Sequence, residues 1–281
     1  MRACFHSDYE IPLPDGHPFP MRKFSALRDI LLEEGLVEPA DLVEPEEIEW
    51  SDLLSVHTPS YLQKLETGTL DRGEERRLGL PWSPALVRRS RLAVQGTVMA
   101  AWNAMEDGVA ANLAGGTHHA CPGHGEGFCV LNDVGVAIRT LQREEEIERA
   151  LIVDLDVHHG NANAICFGGD DSVFTFSMHG ERNFPLKKPP GDLDVPLDDH
   201  VGDVEYLALL DLHLPRAIES ARADIVFLLS GVDVVVGDRY GRLALTRDGL
   251  RRRELMAQEA IRGAGLPMVM LLSGGYADTP K

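Results

Sequence analysis

The chain has 281 residues, of which 44% are hydrophobic and 26% are charged, a composition typical of a soluble globular protein. Its 45 Asp and Glu residues outnumber 27 Lys and Arg residues and give a formal net charge of -18, which disfavours nucleic-acid binding and would attract cationic partners such as lysine-rich peptides or polyamines. The simpler interpretation, which we favour, is that the acidic surface only keeps the protein soluble. No apolar run is long enough for a membrane span or a signal peptide, so we expect no membrane partner and a cytoplasmic location.

Six apolar runs are rich in β-forming residues and are predicted to be strands. In chain order they are residues 3–5, 109–113, 150–153, 172–176, 224–229 and 268–272. The segments between them have helical periodicity, and the predicted helices are residues 23–34, 60–66, 84–106, 133–146, 204–222 and 247–262. This alternation predicts a three-layer α/β fold, with a mainly parallel central sheet and helices on both faces. No repeat or flexible linker interrupts it, so we expect a single domain over residues 1–281.

Polar side chains follow five of the predicted strands where each strand ends. They are, in chain order, His118 and His119, then Asp154 to His158, then Ser177, Met178 and His179, then Asp238, and finally Tyr276. Ligands of open parallel sheets bind beyond the carboxyl ends of the strands, where the loops converge. We therefore expect these residues to form one site at one edge of the sheet.

The segment DLDVH at residues 154–158 suggests a metal site. Asp154, Asp156 and His158 alternate with apolar residues, so an extended backbone places all three on one side. Buried carboxylates without a partner are unfavourable, so a cation is expected among them. Carboxylate and imidazole ligands are typical of catalytic zinc, with Asp238 as the natural third ligand. The alternative is a hydrogen-bonded polar cluster, with one Asp capping the next helix.

The adjacent histidines and the final tyrosine each have two interpretations. His118 and His119 follow Gly115 and Gly116, so they lie either in a tight loop beside a ligand or in an ordinary surface loop. Tyr276 either packs in the interior or donates a hydrogen bond to a developing oxyanion.

Motifs in the same order across nearly the whole chain resemble the zinc-dependent histone deacetylases, in particular their class IV branch and its bacterial relatives. These motifs are GHPFPMRKF, SVHTPSYL, LPWSP, GGTHHA, GEGFCVLND, DLDVHHGNA, FSMHG, NFP, SGVDVVVGDRYGRLALT and SGGY. The resemblance implies the arginase/deacetylase fold and one catalytic zinc ion held by Asp156, His158 and Asp238.

The resemblance also implies the catalytic roles. His119 would remove a proton from the attacking water and later protonate the leaving amine, His118 would orient the water, and Tyr276 would support the oxyanion. Asp154 would pair with His118, and Asn161 would orient His119. Class I members have Asp where this chain has Asn161, whereas class II and IV members have Asn. Because an amide raises an imidazole pKa less than a carboxylate does, we expect His119 to stay an available base to lower pH.

Two further sets of residues follow from the resemblance. A structural potassium ion would be held by Asp154, by main-chain oxygens of Asp156, His158 and Met178, and by the Ser177 hydroxyl. The channel for the acylated lysine would be lined by Gly127, Phe128, Phe184 and Leu245, although Leu245 taken alone is more typical of a core residue.

The implied activity is hydrolysis that removes acetyl or longer acyl groups from the lysine side-chain amine of proteins. One alternative is deacylation of small amines such as acetylpolyamines. Another is an acyl-lysine binding protein without hydrolytic activity, which requires that Tyr276 be displaced. Manganese ureohydrolases share the fold but need bridging aspartates that DLDVHHGNA lacks. Relatives usually continue into another helix, whereas this sequence stops at Lys281, so a truncated C-terminal end is a further interpretation. The oligomeric state cannot be predicted.

Overall fold

Eight parallel strands form the central sheet of the computed structural model, which describes residues 1–277. The strands are β1 (Ala3–Cys4), β2 (Leu42–Val43), β3 (Val109–Asn112), β4 (Ala150–Asp154), β5 (Val173–Gly180), β6 (Leu193–Leu197), β7 (Ile225–Leu229) and β8 (Met268–Leu271). Their order across the sheet is β2-β1-β3-β8-β7-β4-β5-β6, and every neighbouring pair is parallel. The predicted parallel sheet is confirmed.

The described part of the chain contains nine α-helices. They are α1 (Lys23–Glu33), α2 (Trp50–Leu53), α3 (Pro59–Thr67), α4 (Arg72–Leu78), α5 (Pro84–Asp107), α6 (Asp133–Arg143), α7 (Asn161–Phe167), α8 (Asp203–Ala221) and α9 (Arg247–Gly263). Several start at residues that favour helix initiation: Ser83 caps α5 ahead of Pro84, and Thr246 caps α9. None of the helices within residues 1–277 is long and apolar enough to cross a bilayer.

The core lies on both faces of the sheet. Ala150 and Ile152 of β4 pack with buried residues of α5 and α6, whereas the alternate residues Leu151 and Val153 pack with α8 and α9. Successive side chains of a strand point to opposite faces, so a continuous apolar strand is buried between two helical layers. The three-layer arrangement with helices on both faces is confirmed.

Two strands and three helices of the structure are absent from the sequence prediction. Strand β2 has only two residues, and β6 contains Pro196, which is tolerated because β6 lies at an edge of the sheet. The unpredicted helices are α2, α4 and α7, which are all short. Strand β5 runs to Gly180, so Ser177, Met178 and His179 lie inside the strand rather than beyond its end.

The centre of the sheet positions the predicted site. Strands β3, β8, β7 and β4 are consecutive neighbours, and because they are parallel their carboxyl ends lie side by side. The four segments that follow these strands therefore meet at one edge.

Candidate active site

Hydrogen bonds connect the segments that follow β3, β4, β7 and β8, and they bring predicted site residues together. His118, after β3, lies with Nδ1 2.6 Å from Asp154 Oδ2 at the end of β4. Asp156 Oδ2 accepts hydrogen bonds from Ser273 Oγ at 2.8 Å and from the Gly274 N–H at 2.6 Å, both after β8. The segment after β7 contributes Asp233, whose Oδ1 accepts from the Val157 N–H at 3.0 Å. Four strand ends thus supply one site, as expected from the parallel sheet.

Asp156, His158 and Asp233 form a buried cluster that could hold a metal ion. One ligand atom from each residue lies within 4.8 Å of the other two. His158 Nδ1 is 2.9 Å from Asp156 Oδ1 and 3.2 Å from Asp233 Oδ2. Asp233 Oδ2 nevertheless accepts no well-aligned hydrogen bond from any group within residues 1–277. A buried carboxylate oxygen without a partner is costly, and two carboxylates with an imidazole suit a divalent transition metal. The donor set therefore fits a zinc ion.

The electrostatics of the cluster also favour a bound cation. Burial and the negative charge of Asp156 raise the pKa of Asp233 to about 6. Burial opposes ionisation of Asp156, but His118 and His158 outweigh it and hold the pKa of Asp156 well below its usual value. Burial would lower the pKa of His158, but Asp156 and Asp233 raise it to about 10. These shifts arise because two carboxylates share one buried place with an imidazole, so that protons or a metal ion must balance their charge there.

The structure corrects the predicted third ligand from Asp238 to Asp233. Asp238 Oδ1 accepts hydrogen bonds from the backbone N–H groups of Tyr240 and Gly241, and Asp238 Oδ2 accepts from the Tyr276 N–H at 2.8 Å. Its carboxylate therefore holds two loops together and lies outside the cluster. Both aspartates occur in the same segment SGVDVVVGD, and only the turn after β7 decides which of them reaches β4. The position of Asp233 nearer to the strand end was the available signal.

His118 and His119 lie side by side, with ring centroids 4.0 Å apart, and each has a different partner. Burial would lower the pKa of His118, but Asp154 and Asp156 outweigh it and raise that pKa to about 9. His119 Nδ1 is 2.6 Å from Asn161 Oδ1. Burial, together with the positive charges of His118 and His158, lowers the pKa of His119 well below its usual value. These pKa shifts favour the protonated form of His118 and the neutral form of His119.

Tyr276 packs beside His158 and lines the adjoining cavity. Its ring centroid is 6.1 Å from that of His158, and the residue is 8% exposed. Burial, with the charges of Asp156 and Asp233, raises the pKa of the Tyr276 hydroxyl well above its usual value. The hydroxyl therefore stays protonated and can donate a hydrogen bond.

A cavity of about 40 Å³ adjoins the paired histidines. Its lining includes Lys23, Arg89, Gly127, Phe128, His119 and Tyr276. Lys23 Nζ donates to the Ser273 carbonyl at 2.8 Å, and burial lowers the pKa of Lys23 to about 8. Arg89 is buried and donates to the Tyr9 carbonyl, and burial lowers its pKa to about 10. Two basic side chains therefore line the cavity, and neither of them was among the predicted site residues.

Three of the four predicted channel residues lie at the site. Gly127 and Phe128 line the cavity, and the Phe184 ring meets His119 edge-on with centroids 4.9 Å apart. Gly127 has a φ of +56°, and a Cβ there would lie 2.6 Å from His119 Cδ2, so the loop can cover the imidazole only with glycine. Leu245 is instead fully buried in the core beside α8 and α9, so its prediction as a channel residue is wrong.

The potassium prediction concerns the adjacent strands β4 and β5. Their register places Asp154 opposite Ser177, so two of the predicted donors are neighbours. The Ser177 hydroxyl lies 3.0 Å from His179 Nδ1, and Met178 is fully buried. The potassium site stays a prediction.

Comparisons with known proteins agree with this geometry. The sequence model of the histone deacetylase domain family matches residues 17–280 of the chain. An uncharacterized protein of Picosynechococcus sp. is 46% identical over 275 residues, which cover 98% of this chain and 92% of that protein. Histone deacetylase 2 of Arabidopsis thaliana is 32% identical over 284 residues, covering 97% of this chain and 73% of the plant protein. The crystal structure of an HDAC homologue complexed with SAHA has a TM-score of 0.82 at 26% identity, covering 98% of this chain and 79% of that structure.

Proposed function

The chain belongs to the histone deacetylase family, and from this premise we propose that it is a zinc-dependent enzyme that removes acetyl groups from the side-chain amine of lysine in proteins or peptides. One observation carries the proposal. The buried cluster of Asp156, His158 and Asp233 lies beside two adjacent imidazoles, of which one contacts a carboxylate and the other an amide oxygen, an arrangement suited to metal-assisted amide hydrolysis.

Asp156, His158 and Asp233 would hold the zinc ion. When bound, zinc supplies a Lewis acid that polarises the amide carbonyl and makes a water molecule easier to deprotonate. The buried Asp233 oxygen without a hydrogen bond supports this ligand set. The class IV-like assignment is a further part of the proposal. Asn161, which contacts His119 Nδ1, separates the chain from class I, although class II members share this residue.

His119 is placed to act as the general base. Asn161 engages its Nδ1, which leaves Nε2 free to take a proton from the attacking water and to return it to the leaving amine. Asp154 contacts His118 and favours its protonated form, and His118 is placed to orient the water and stabilise negative charge. The amide C–N bond breaks, the water oxygen ends in the carboxylate product, and the lysine amine leaves with the proton.

Tyr276, Lys23 and Arg89 complete the site. The protonated Tyr276 hydroxyl can donate to the oxygen that becomes negative in the transition state. Lys23 and Arg89 face the same small cavity, and two basic side chains there favour a carboxylate product over the neutral amide. Because Tyr276 packs beside His158, the displacement that a purely binding function requires is not supported.

The substrate proposal rests on charge and size. The formal net charge of -18 favours a cationic peptide around the acylated lysine. The cavity beside the paired histidines is small, about 40 Å³, and the proposal therefore takes an acetyl group as its first candidate. Acetylpolyamines are also cationic and carry the same amide, so the charge favours them equally as the second candidate.

A substrate panel tests the proposal. Acetyl-lysine peptides, lysine peptides with longer acyl chains and acetylpolyamines are incubated with the zinc-loaded protein, with and without chelator, and the released acid is quantified. We expect acetyl-lysine peptides to give the highest kcat/KM and the chelator to abolish release. Faster hydrolysis of acetylpolyamines would support the second candidate. Absence of release from every substrate would contradict both.

A further inference from the structure

Asn161 contacts a carboxylate, that of Glu126, on the side of its amide away from His119. Asn161 Nδ2 donates a hydrogen bond to Glu126 Oε1 at 2.6 Å, while Asn161 Oδ1 faces His119 Nδ1 at 2.6 Å. The three side chains therefore form a continuous series from the proposed base to a carboxylate. We propose that Glu126 is a positioning residue, which fixes the orientation of the Asn161 amide and through it the tautomer of His119.

Glu126 is itself held in place. It lies in the GEGFC segment, where its carbonyl accepts from the Cys129 N–H at 2.9 Å and the next N–H, of Gly127, donates to the Arg77 carbonyl at 3.3 Å. Its side chain is 16% exposed, and its second oxygen lies 3.7 Å from His124 Nε2. The carboxylate thus has a fixed backbone and polar neighbours on two sides.

The chemistry of the three groups explains the role. An asparagine amide can be turned so that either its oxygen or its nitrogen faces a neighbour. An ionised carboxylate only accepts hydrogen bonds, so Glu126 selects the orientation in which Nδ2 faces it. Asn161 Oδ1 must then face His119 and can only accept. His119 must therefore carry its proton on Nδ1, which leaves Nε2 without a proton.

This arrangement differs from a direct carboxylate partner. Asp154 contacts His118 directly, with its carboxylate oxygen 2.6 Å from Nδ1, whereas Glu126 reaches His119 only through a neutral amide. Glu126 therefore fixes the orientation of the Asn161 amide and of the His119 ring, while the Asn161 side chain separates its negative charge from the imidazole. This is the type of outer hydrogen bond that fixes ring orientation and tautomer in metal sites.

The inference rests on the proposed hydrolytic function, but its first test is independent of activity. Nitrogen-15 NMR of zinc-loaded protein labelled at histidine reports which ring nitrogen of His119 carries the proton. We expect a single tautomer protonated on Nδ1 in the wild type and a mixture of tautomers in Glu126→Ala. An unchanged His119 signal in a folded Glu126→Ala variant would overturn the proposal, even if no substrate were hydrolysed.

Kinetics on the acetyl-lysine peptide give the second test. Glu126→Ala should lower kcat about tenfold while KM and zinc content stay as in the wild type, and Glu126→Gln, which keeps an acceptor oxygen, should recover part of the loss. Glu66→Ala, at an exposed glutamate, is the matched control and should leave kcat unchanged. Equal activity of Glu126→Ala and wild type would contradict the role.

A double-mutant cycle separates positioning from general structural support. In an Asn161→Ala background the link between Glu126 and His119 is already absent, so Glu126→Ala should then change kcat less than about twofold. If the losses of the two single variants multiply instead, Glu126 does not act through Asn161. Should Glu126→Ala fail to fold, the same cycle with Glu126→Gln and the NMR measurement decide the question.

Discussion

His118 and His119 are neighbours, but the side chains that contact their Nδ1 atoms differ: one is a carboxylate and the other is an amide. His118 rests on Asp154, a buried carboxylate at the end of a central strand, and its pKa is raised to about 9. His119 rests on Asn161 at the start of α7, and its pKa is lowered well below the usual value. Two adjacent buried imidazoles therefore differ because the Asp154 carboxylate offsets the burial of His118, whereas the neutral Asn161 amide does not offset the burial of His119 beside two positively charged rings.

The largest expected effect comes from the metal cluster, because both histidines act on chemistry centred there. Asp233→Asn removes one proposed ligand and should abolish zinc retention after dialysis, together with detectable hydrolysis. Asp238→Asn is the matched control, since Asp238 holds backbone N–H groups outside the cluster. It should retain one zinc ion per chain by elemental analysis. The reverse pattern would restore Asp238 as the ligand.

Removal of the histidines tests the comparison itself. His119→Ala should lower kcat about a thousandfold, because it removes the only neutral imidazole of the pair. His118→Ala should lower kcat by about a hundredfold, because charge stabilisation is lost but the base remains. Steady-state kinetics at matched zinc content measure both. A larger loss for His118→Ala would mean that the roles of the two histidines are exchanged.

A change in the support of His118 should have a smaller effect. Asp154→Asn keeps a hydrogen-bond acceptor but removes the negative charge behind His118. We expect kcat to fall by about tenfold to a hundredfold, with the His119 tautomer unchanged in the nitrogen-15 spectrum. A shifted His119 signal would show that the two supports are not independent.

The smallest expected change in kinetics comes from Phe184, a partly exposed residue of the predicted channel. Phe184 packs edge-on against His119 and is 41% exposed, so it should contact the lysine stem rather than the reacting atoms. Phe184→Ala should raise KM about fivefold, the equivalent of about 1 kcal/mol of aromatic contact, and leave kcat nearly unchanged. A loss in kcat alone would place Phe184 with the support of His119.

Much of this arrangement could be predicted from the sequence. The apolar runs located six of the eight strands of the sheet, and the polar residues that follow them included Asp154, Asp156, His158 and both histidines. Short or edge elements such as β2 and β6 lack the length or the pattern that periodicity needs. The resemblance to the family added Asn161 and the channel residues.

The remaining errors involve contacts between distant segments. Asp233 and Asp238 share one loop, and only its path after β7 decides which of them faces Asp156. Leu245 is apolar in either environment, so its residue type does not distinguish core from channel. Glu126 meets Asn161 across 35 positions of the chain, and no local pattern marks such a contact.

The central claim is that one metal ion binds between Asp156, His158 and Asp233, beside the two histidines. Anomalous diffraction at the zinc absorption edge, from crystals of the zinc-loaded protein, tests it most directly. The account predicts one strong peak between the two carboxylates and His158 Nδ1. A peak at another group of potential ligands, such as Cys121, His124 and Glu126 or His159, His179 and Asp194, with none at the predicted place, would contradict it.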